Sequence, residues 1–329
     1  MKSLLNHCIL TFLIATSLLA GDPVFLTQTS SVPLPGVSGR IDHFDMDVKG
    51  GRLFLAALGN DTVEVLDLKA GQRARSIKGC RKPQGVLFLQ DSKRLCVANG
   101  SDGTVRFYDA ASGALMKQLD GMDDADNVRL DAKTQMIYAG YGNGALAMIS
   151  AESFNKVGDI KLAGHPESFQ LEQNGQRIFV NVPDAGHVAV VDRAKRAVIA
   201  TWPLTGFKAN FPMALDEKHQ RLFIGCRHPA KLLVLDTRDG RHVADVTISG
   251  DTDDLFYDAA RKRIYLSCGE GFLNVIEQTN ADTYQLREKI TTASGARTSY
   301  FSAASRELYL AVPARGKQGA EVRVYHVAQ

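Results

Sequence analysis

This sequence predicts an all-β fold: a seven-bladed β-propeller of four-stranded antiparallel blades, closed by the N-terminal strand completing the last blade. Three observations predict it. A pair of large apolar residues recurs seven times, at Leu53-Phe54, Leu95-Cys96, Ile137-Tyr138, Ile178-Phe179, Leu222-Phe223, Ile264-Tyr265 and Leu308-Tyr309, spaced by 41 to 44 residues. Each interval holds β-branched and aromatic runs separated by turn residues, which is room for four short strands. The seventh unit runs out one strand short, while an unclaimed strand-like segment over 25–36 precedes the first. Four strands per repeat of this length is the pattern of radially packed blades.

Residues 1–20 come first along the chain. Lys2 is followed by a mostly apolar stretch from Leu4 to Leu19 and by the small Ala20, the layout of a secretory signal peptide. Asn6, His7, Thr11, Thr16 and Ser17 interrupt it, so it makes a poor membrane span, and an anchor retained uncut is the alternative. The mature chain is expected to be one domain, residues 21–329, periplasmic or secreted and monomeric, with no membrane span after cleavage. Composition agrees with a globular domain: of 329 residues, 45% are hydrophobic and 23% charged. Lys plus Arg total 39 against 36 Asp plus Glu, a net charge of +3, too balanced for a dedicated nucleic-acid binder.

Within each unit the apolar pair belongs to one strand, and a basic residue precedes it in five units: Arg52, Arg94, Arg177, Arg221 and Arg263. Thirteen or fourteen residues later comes a strand with a polar end, as in Val63-Glu64-Val65-Leu66-Asp67. Asp67, Asp109 and Asp236 are each followed by Gly four residues on, which predicts a turn whose N–H groups the carboxylate accepts and whose last residue needs positive φ. Units three, six and seven end in Ser150, Glu277 and His326 instead, so a different turn is expected there. The segment from Phe25 to Gly36 resembles the fourth strands of the other units and is expected to pair with Val322–Val327, closing the ring.

Cys80, Cys96, Cys226 and Cys268 follow the leader. An even count in an exported chain permits disulfides, but four cysteines allow three pairings and spacing does not choose. Cys226 and Cys268 hold the same place in successive units, which reads as small buried hydrophobes.

Leu95-Cys96-Val97-Ala98-Asn99-Gly100-Ser101-Asp102-Gly103-Thr104-Val105 carries an apolar pair, an Asn and a Gly-rich turn before the next strand. It resembles the YVTN-type repeat of the YncE-like family of exported propellers, and the resemblance spans essentially the whole mature chain. It implies a module that binds a ligand or protein through its top face. Related propellers include lactonases, so a hydrolase using carboxylates at the channel mouth, with calcium as a possible cofactor, is the alternative.

Eleven residues before the first member of each apolar pair lie Asp42, Gln84, Asp126, Glu167, Phe211, Asp253 and Arg297, where an inner strand would begin beside the central channel. Arg40, His43, Asn127, His165, Asn210 and Asp254 flank them. This set reads either as a solvated rim or as a ligand site. Asp42, Asp126, Glu167 and Asp253 are the metal candidates, though calcium would need six to eight oxygens from separate blades. A second set of loops offers Asn99, Tyr141, Asn181, Arg227, His228, Lys231, Glu270, Arg315 and Lys317. Arg227 and His228 beside Lys208 and Lys231 would suit an anion, or would be ordinary surface charge. The sequence argues against single-stranded nucleic acid as a partner, because acidic runs such as Asp123-Asp124-Asp126 interrupt any basic stripe. The sequence holds no C-x-x-C, G-x-S-x-G, H-E-x-x-H or P-loop motif.

Overall fold

A computed structural model describes residues 24–329; the leader expected over 1–20 lies outside the described residues. Seven four-stranded antiparallel sheets form the ring. Blade 1 runs through Phe44–Asp47, Arg52–Ala57, Thr62–Asp67 and Gln72–Lys78, from the inner strand outward, and blades 2 to 6 repeat that order. Blade 7 takes three strands from the C-terminal segment, Ser299–Ser302, Glu307–Val312 and Glu321–Val327, and its outer strand is Leu26–Pro33. That strand pairs from Leu26 opposite Val327 to Pro33 opposite Glu321, as the unfinished seventh unit predicted.

The apolar pair has a simple physical basis. Successive residues of a strand point to opposite faces, and here each face meets a different blade. Leu53 packs into the core between blades 7 and 1, whereas Phe54 packs between blades 1 and 2. The same division holds around the ring, to Leu308 between blades 6 and 7 and Tyr309 between blades 7 and 1. Seven inter-blade cores therefore share the hydrophobic load, and the second strands are buried on both sides. Outer strands meet solvent, so Gln72–Lys78 is largely exposed apart from Ile77.

The predicted Asp-to-Gly turns are present. Asp67 Oδ1 accepts from the N–H groups of Lys69 and Ala70 at 3.0 and 2.9 Å, and Gly71 adopts φ 64°. In blade 3 the Ser150 hydroxyl takes the role of that carboxylate, accepting from the Glu152 and Ser153 N–H groups. Blade 6 turns in a tight hairpin between Phe272–Asn280 and Thr283–Thr291. Cys80, Cys96, Cys226 and Cys268 are all buried and unpaired. Among the described residues no helix is long and apolar enough to cross a membrane.

Candidate functional site

Segments entering the inner strands converge where the channel opens on the top face. They line a small polar pocket of about 140 Å³ with Arg40, His43, Gln84, Asp124, Asp126, His165, Glu167, Phe211, Asp253 and Arg297; Arg227 joins from the end of a second strand in blade 5. Charge is divided across it. Arg227 Nη2 donates to Asp253 Oδ1 at 2.7 Å while its guanidinium lies 3.9 Å from the Phe211 ring centroid. Arg297 Nε meets Asp253 Oδ2 at 3.0 Å and its Nη1 reaches Asp251 at 2.9 Å. Arg40 Nη2 donates to Asp42 Oδ2 at 2.6 Å.

Asp124, Asp126 and Glu167, from the segments entering blades 3 and 4, have no arginine partner among the described residues. Asp126 is only 7% exposed, and its Oδ1 has no hydrogen-bond partner among the described residues; the same is true of Oδ1 on fully buried Asp42. Burial, reinforced by the Glu167 charge and opposed by His43, pushes Asp126 up to about 8. Glu167 is pushed up to about 7 by burial and by Asp253. Asp42 is raised by burial, against the pull of His43 and Arg40. An enclosed cluster of carboxylates thus retains protons near neutral pH.

His43 forms the floor and lines the wider channel below as well. Its Nδ1 lies 3.2 Å from Asp254 Oδ1, and its Nε2 lies 3.8 Å from Asp42 Oδ1 and 3.9 Å from Asp126 Oδ1. Burial disfavours the imidazolium, but Asp254 and Asp42 outweigh it and push His43 up to about 10. Asn127 is buried beside this pair, with Oδ1 accepting from Arg129 at 3.2 Å.

Several sequence candidates lie elsewhere. Asn210 is fully buried and donates to Asn181 Oδ1 at 3.0 Å, so both amides are structural. Asn99 is likewise buried, accepting from the Arg81 N–H at 3.1 Å. The basic patch divides: Arg227 turns into the mouth, His228 is exposed with its backbone opposite Lys208, and Lys231 pairs with Asp245. Tyr141 donates to Asp159 at 2.9 Å, and Lys317 is exposed. Glu270 and Arg315 line a neighbouring open groove shared with Arg40 and Arg297.

Sequence reasoning did not single out Asp124, or the channel beneath His43. That channel, of about 460 Å³, is lined from all seven blades and includes Asp45, Leu87, Arg129, Gln170, Ala214, Phe256 and Tyr300. These seven lie eight residues before the first member of each apolar pair. The count that found the rim would have found the wall, had it been shortened by three.

No protein-family model matches the chain. The uncharacterized protein YncE of Salmonella typhi is 25% identical over 248 residues, covering 70% of this chain and 69% of that protein. YncE of Salmonella typhimurium gives the same values. The chain is a seven-bladed propeller similar to YncE. Solved structures agree on the fold of this YncE-like chain. A chain of the mitotic checkpoint complex superposes with a TM-score of 0.77 at 16% identity, covering 99% of this chain and 100% of that one. Kuenenia stuttgartiensis hydrazine synthase gives 0.74 at 14% identity, over 84% and 95%.

Proposed function

We propose that this YncE-like propeller is an exported binding module whose channel mouth holds a small polar ligand carrying both signs of charge. The observation that carries the reading is the pocket itself, lined both by the carboxyl groups of Asp124, Asp126 and Glu167 and by the guanidinium groups of Arg40, Arg227 and Arg297. A cationic group on the ligand would neutralise carboxylates that repel one another, and an anionic group would face guanidinium groups held in place by Asp253 and Asp251. A volume of about 140 Å³ suits a molecule of amino-acid size better than a polypeptide. Pre-placed charges inside a small pocket give orientation and selectivity without large motions.

The test is a thermal melt with three probes at millimolar concentration: a free amino acid, putrescine and succinate. Ligands bound only by the folded state raise the melting temperature. The amino acid is expected to raise it most, and Glu167→Gln and Arg40→Ala should each weaken that effect. A shift with none of the three, or one kept in both variants, would remove this reading. The exported location is tested by fractionating cells and sequencing the mature N-terminus, expected near Gly21.

A further inference from the structure

We infer that Asp126, His165 and Glu167 form a site for one divalent transition-metal ion of the zinc type. The inference shares its pocket with the binding function proposed above and rests on that reading only in this respect. One donor atom from each of the three residues lies within 4.8 Å of the other two. Two successive blades supply them: Asp126 precedes the inner strand Val128–Asp131, and His165 and Glu167 precede Phe169–Leu171.

Two further observations point to a ligand. Asp126 is more than nine-tenths buried, yet its Oδ1 has no hydrogen-bond partner among the described residues. Leaving a buried carboxylate oxygen unmatched is costly unless something bound there satisfies it. The imidazole is also prepared for ligation. His165 Nδ1–H donates to the Gly142 carbonyl at 2.7 Å, which fixes the tautomer and leaves the Nε2 lone pair free. A histidine that binds metal through one nitrogen ordinarily donates from the other in this way.

The donor set chooses the metal. Calcium takes six to eight oxygens and gains little from imidazole. One imidazole and two carboxylates suit Zn²⁺, with Co²⁺ and Mn²⁺ as chemical relatives. Tetrahedral ligation at about 2.1 Å places donors about 3.4 Å apart, so donors within 4.8 Å of one another need close by no more than about 1.4 Å. An ion supplies the reason to close, because it replaces repulsion between Asp126 and Glu167 with attraction to a shared cation. Its fourth position would be taken by water or by an anionic ligand in the pocket that Arg227 and Arg297 also line.

The mature protein, stripped with EDTA and exchanged into metal-free buffer, is titrated calorimetrically with Zn²⁺, Mn²⁺, Ca²⁺ and Mg²⁺. Bound Co²⁺ is followed by its visible absorption. One Zn²⁺ per chain is expected, with Ca²⁺ and Mg²⁺ far weaker. His165→Gln, Asp126→Asn and Glu167→Gln should each weaken Zn²⁺ by about a hundredfold or more, and His165→Gln should change the Co²⁺ spectrum. Melts of the metal-free variants establish that each is folded. Absence of stoichiometric Zn²⁺ binding, Ca²⁺ binding of equal strength, or Zn²⁺ binding unchanged in all three folded variants would overturn the assignment. Amino-acid binding without stoichiometric Zn²⁺ binding would sink this inference and leave the proposed function standing; Zn²⁺ binding with no amino-acid shift would sink the other.

Discussion

Asp45 projects into the channel below the mouth, where Oδ1 accepts from the Met46 N–H at 2.8 Å and Oδ2 from the Phe88 N–H at 2.5 Å. Removal from bulk water pushes it up to about 6, although the two N–H groups, Arg129 and Tyr300 all favour its charge. The unfolded chain returns it to about 3.9. A carboxyl raised on folding takes up its proton earlier in the native state, so acidification from pH 7 towards pH 4 favours folding through this residue. The effect is about 2 kcal/mol. Asp45→Asn removes it, and the stability of wild type relative to that variant should grow as the pH falls. Denaturant melts at pH 7, 5.5 and 4.5 read this difference directly, and a constant gap would refute it. Asp253 is the contrasting case, since its charge is matched. It joins Arg227 and Arg297 while only 8% exposed, so Asp253→Ala should cost about 2 kcal/mol in urea unfolding. Asp251 keeps both arginines partly paired and limits the loss.

The recurring arginine before the apolar pair proves to be a staple between neighbouring blades. Arg52 Nη1 donates to the Ala110 carbonyl at 3.0 Å, Arg221 Nε to Ala281 at 3.0 Å, and Arg263 Nη1 to Ala328 at 2.7 Å; Arg177 reaches the Thr237 carbonyl likewise. Each of these carbonyls follows the third strand of the next blade. Arg94 instead pairs within its own blade, with Asp109 at 2.7 Å. The two kinds should be separable. Arg221→Met is expected to cost about 2 kcal/mol, because the nearly buried guanidinium also donates to the fully buried Asp236 at 3.0 Å, while the Ala281 carbonyl keeps only its bond from the Tyr284 hydroxyl. Arg94→Met, at a more exposed pair, should cost no more than about 1 kcal/mol. Equal losses in chemical denaturation would show that the inter-blade bond contributes nothing. Periodicity exposed the arginines because one chain contains several copies of them. Their partners stayed hidden, since the carbonyls lie about sixty residues away and carry no side-chain signature. The mouth divides in the same way. Counting back from the apolar pairs reached Asp126, Glu167, Asp253 and Arg297, whose positions follow from blade geometry. It did not reveal that Asp253 meets two arginines whereas Asp126 meets none and faces His43 at 3.9 Å, because that depends on which side chains cross the opening. Asn210 and Asn181 were candidates from two different sets of top-face loops, yet they bond each other in the interior.

The ring as a whole depends on one non-local joint. Six of the seven inter-blade cores form between blades adjacent in sequence, but the core between blades 7 and 1 unites residues from opposite ends of the chain. The N-terminal segment serves that joint through Val32 and Leu34, and the core between blades 6 and 7 through Phe25 and Leu26. Phe25, Leu26, Val32 and Leu34 are each at most 5% exposed. Glu288 on the outer strand of blade 6 accepts from the Phe25 and Leu26 N–H groups at 2.9 and 3.2 Å, and the Arg263 guanidinium lies 4.6 Å from the Phe25 ring centroid. Burying four such side chains stabilises the fold by about 6 to 12 kcal/mol at 1.5 to 3 kcal/mol each. That is comparable to the whole stability of a typical domain. Removing 24–35 also strips the ladder partner from Glu321–Val327 and leaves blade 7 with a long open edge. The truncated chain should therefore lose its cooperative melt and aggregate, whereas Phe25→Ala, which removes one ring but keeps the strand, should remain folded and lose about 3 kcal/mol. A synthetic peptide spanning 24–36, added in excess, should restore the melt of the truncated chain, because it supplies the missing strand at an entropic cost that mass action can offset. A truncated chain that melts cooperatively at the full-length temperature without peptide would show that the ring closes through the other six interfaces alone.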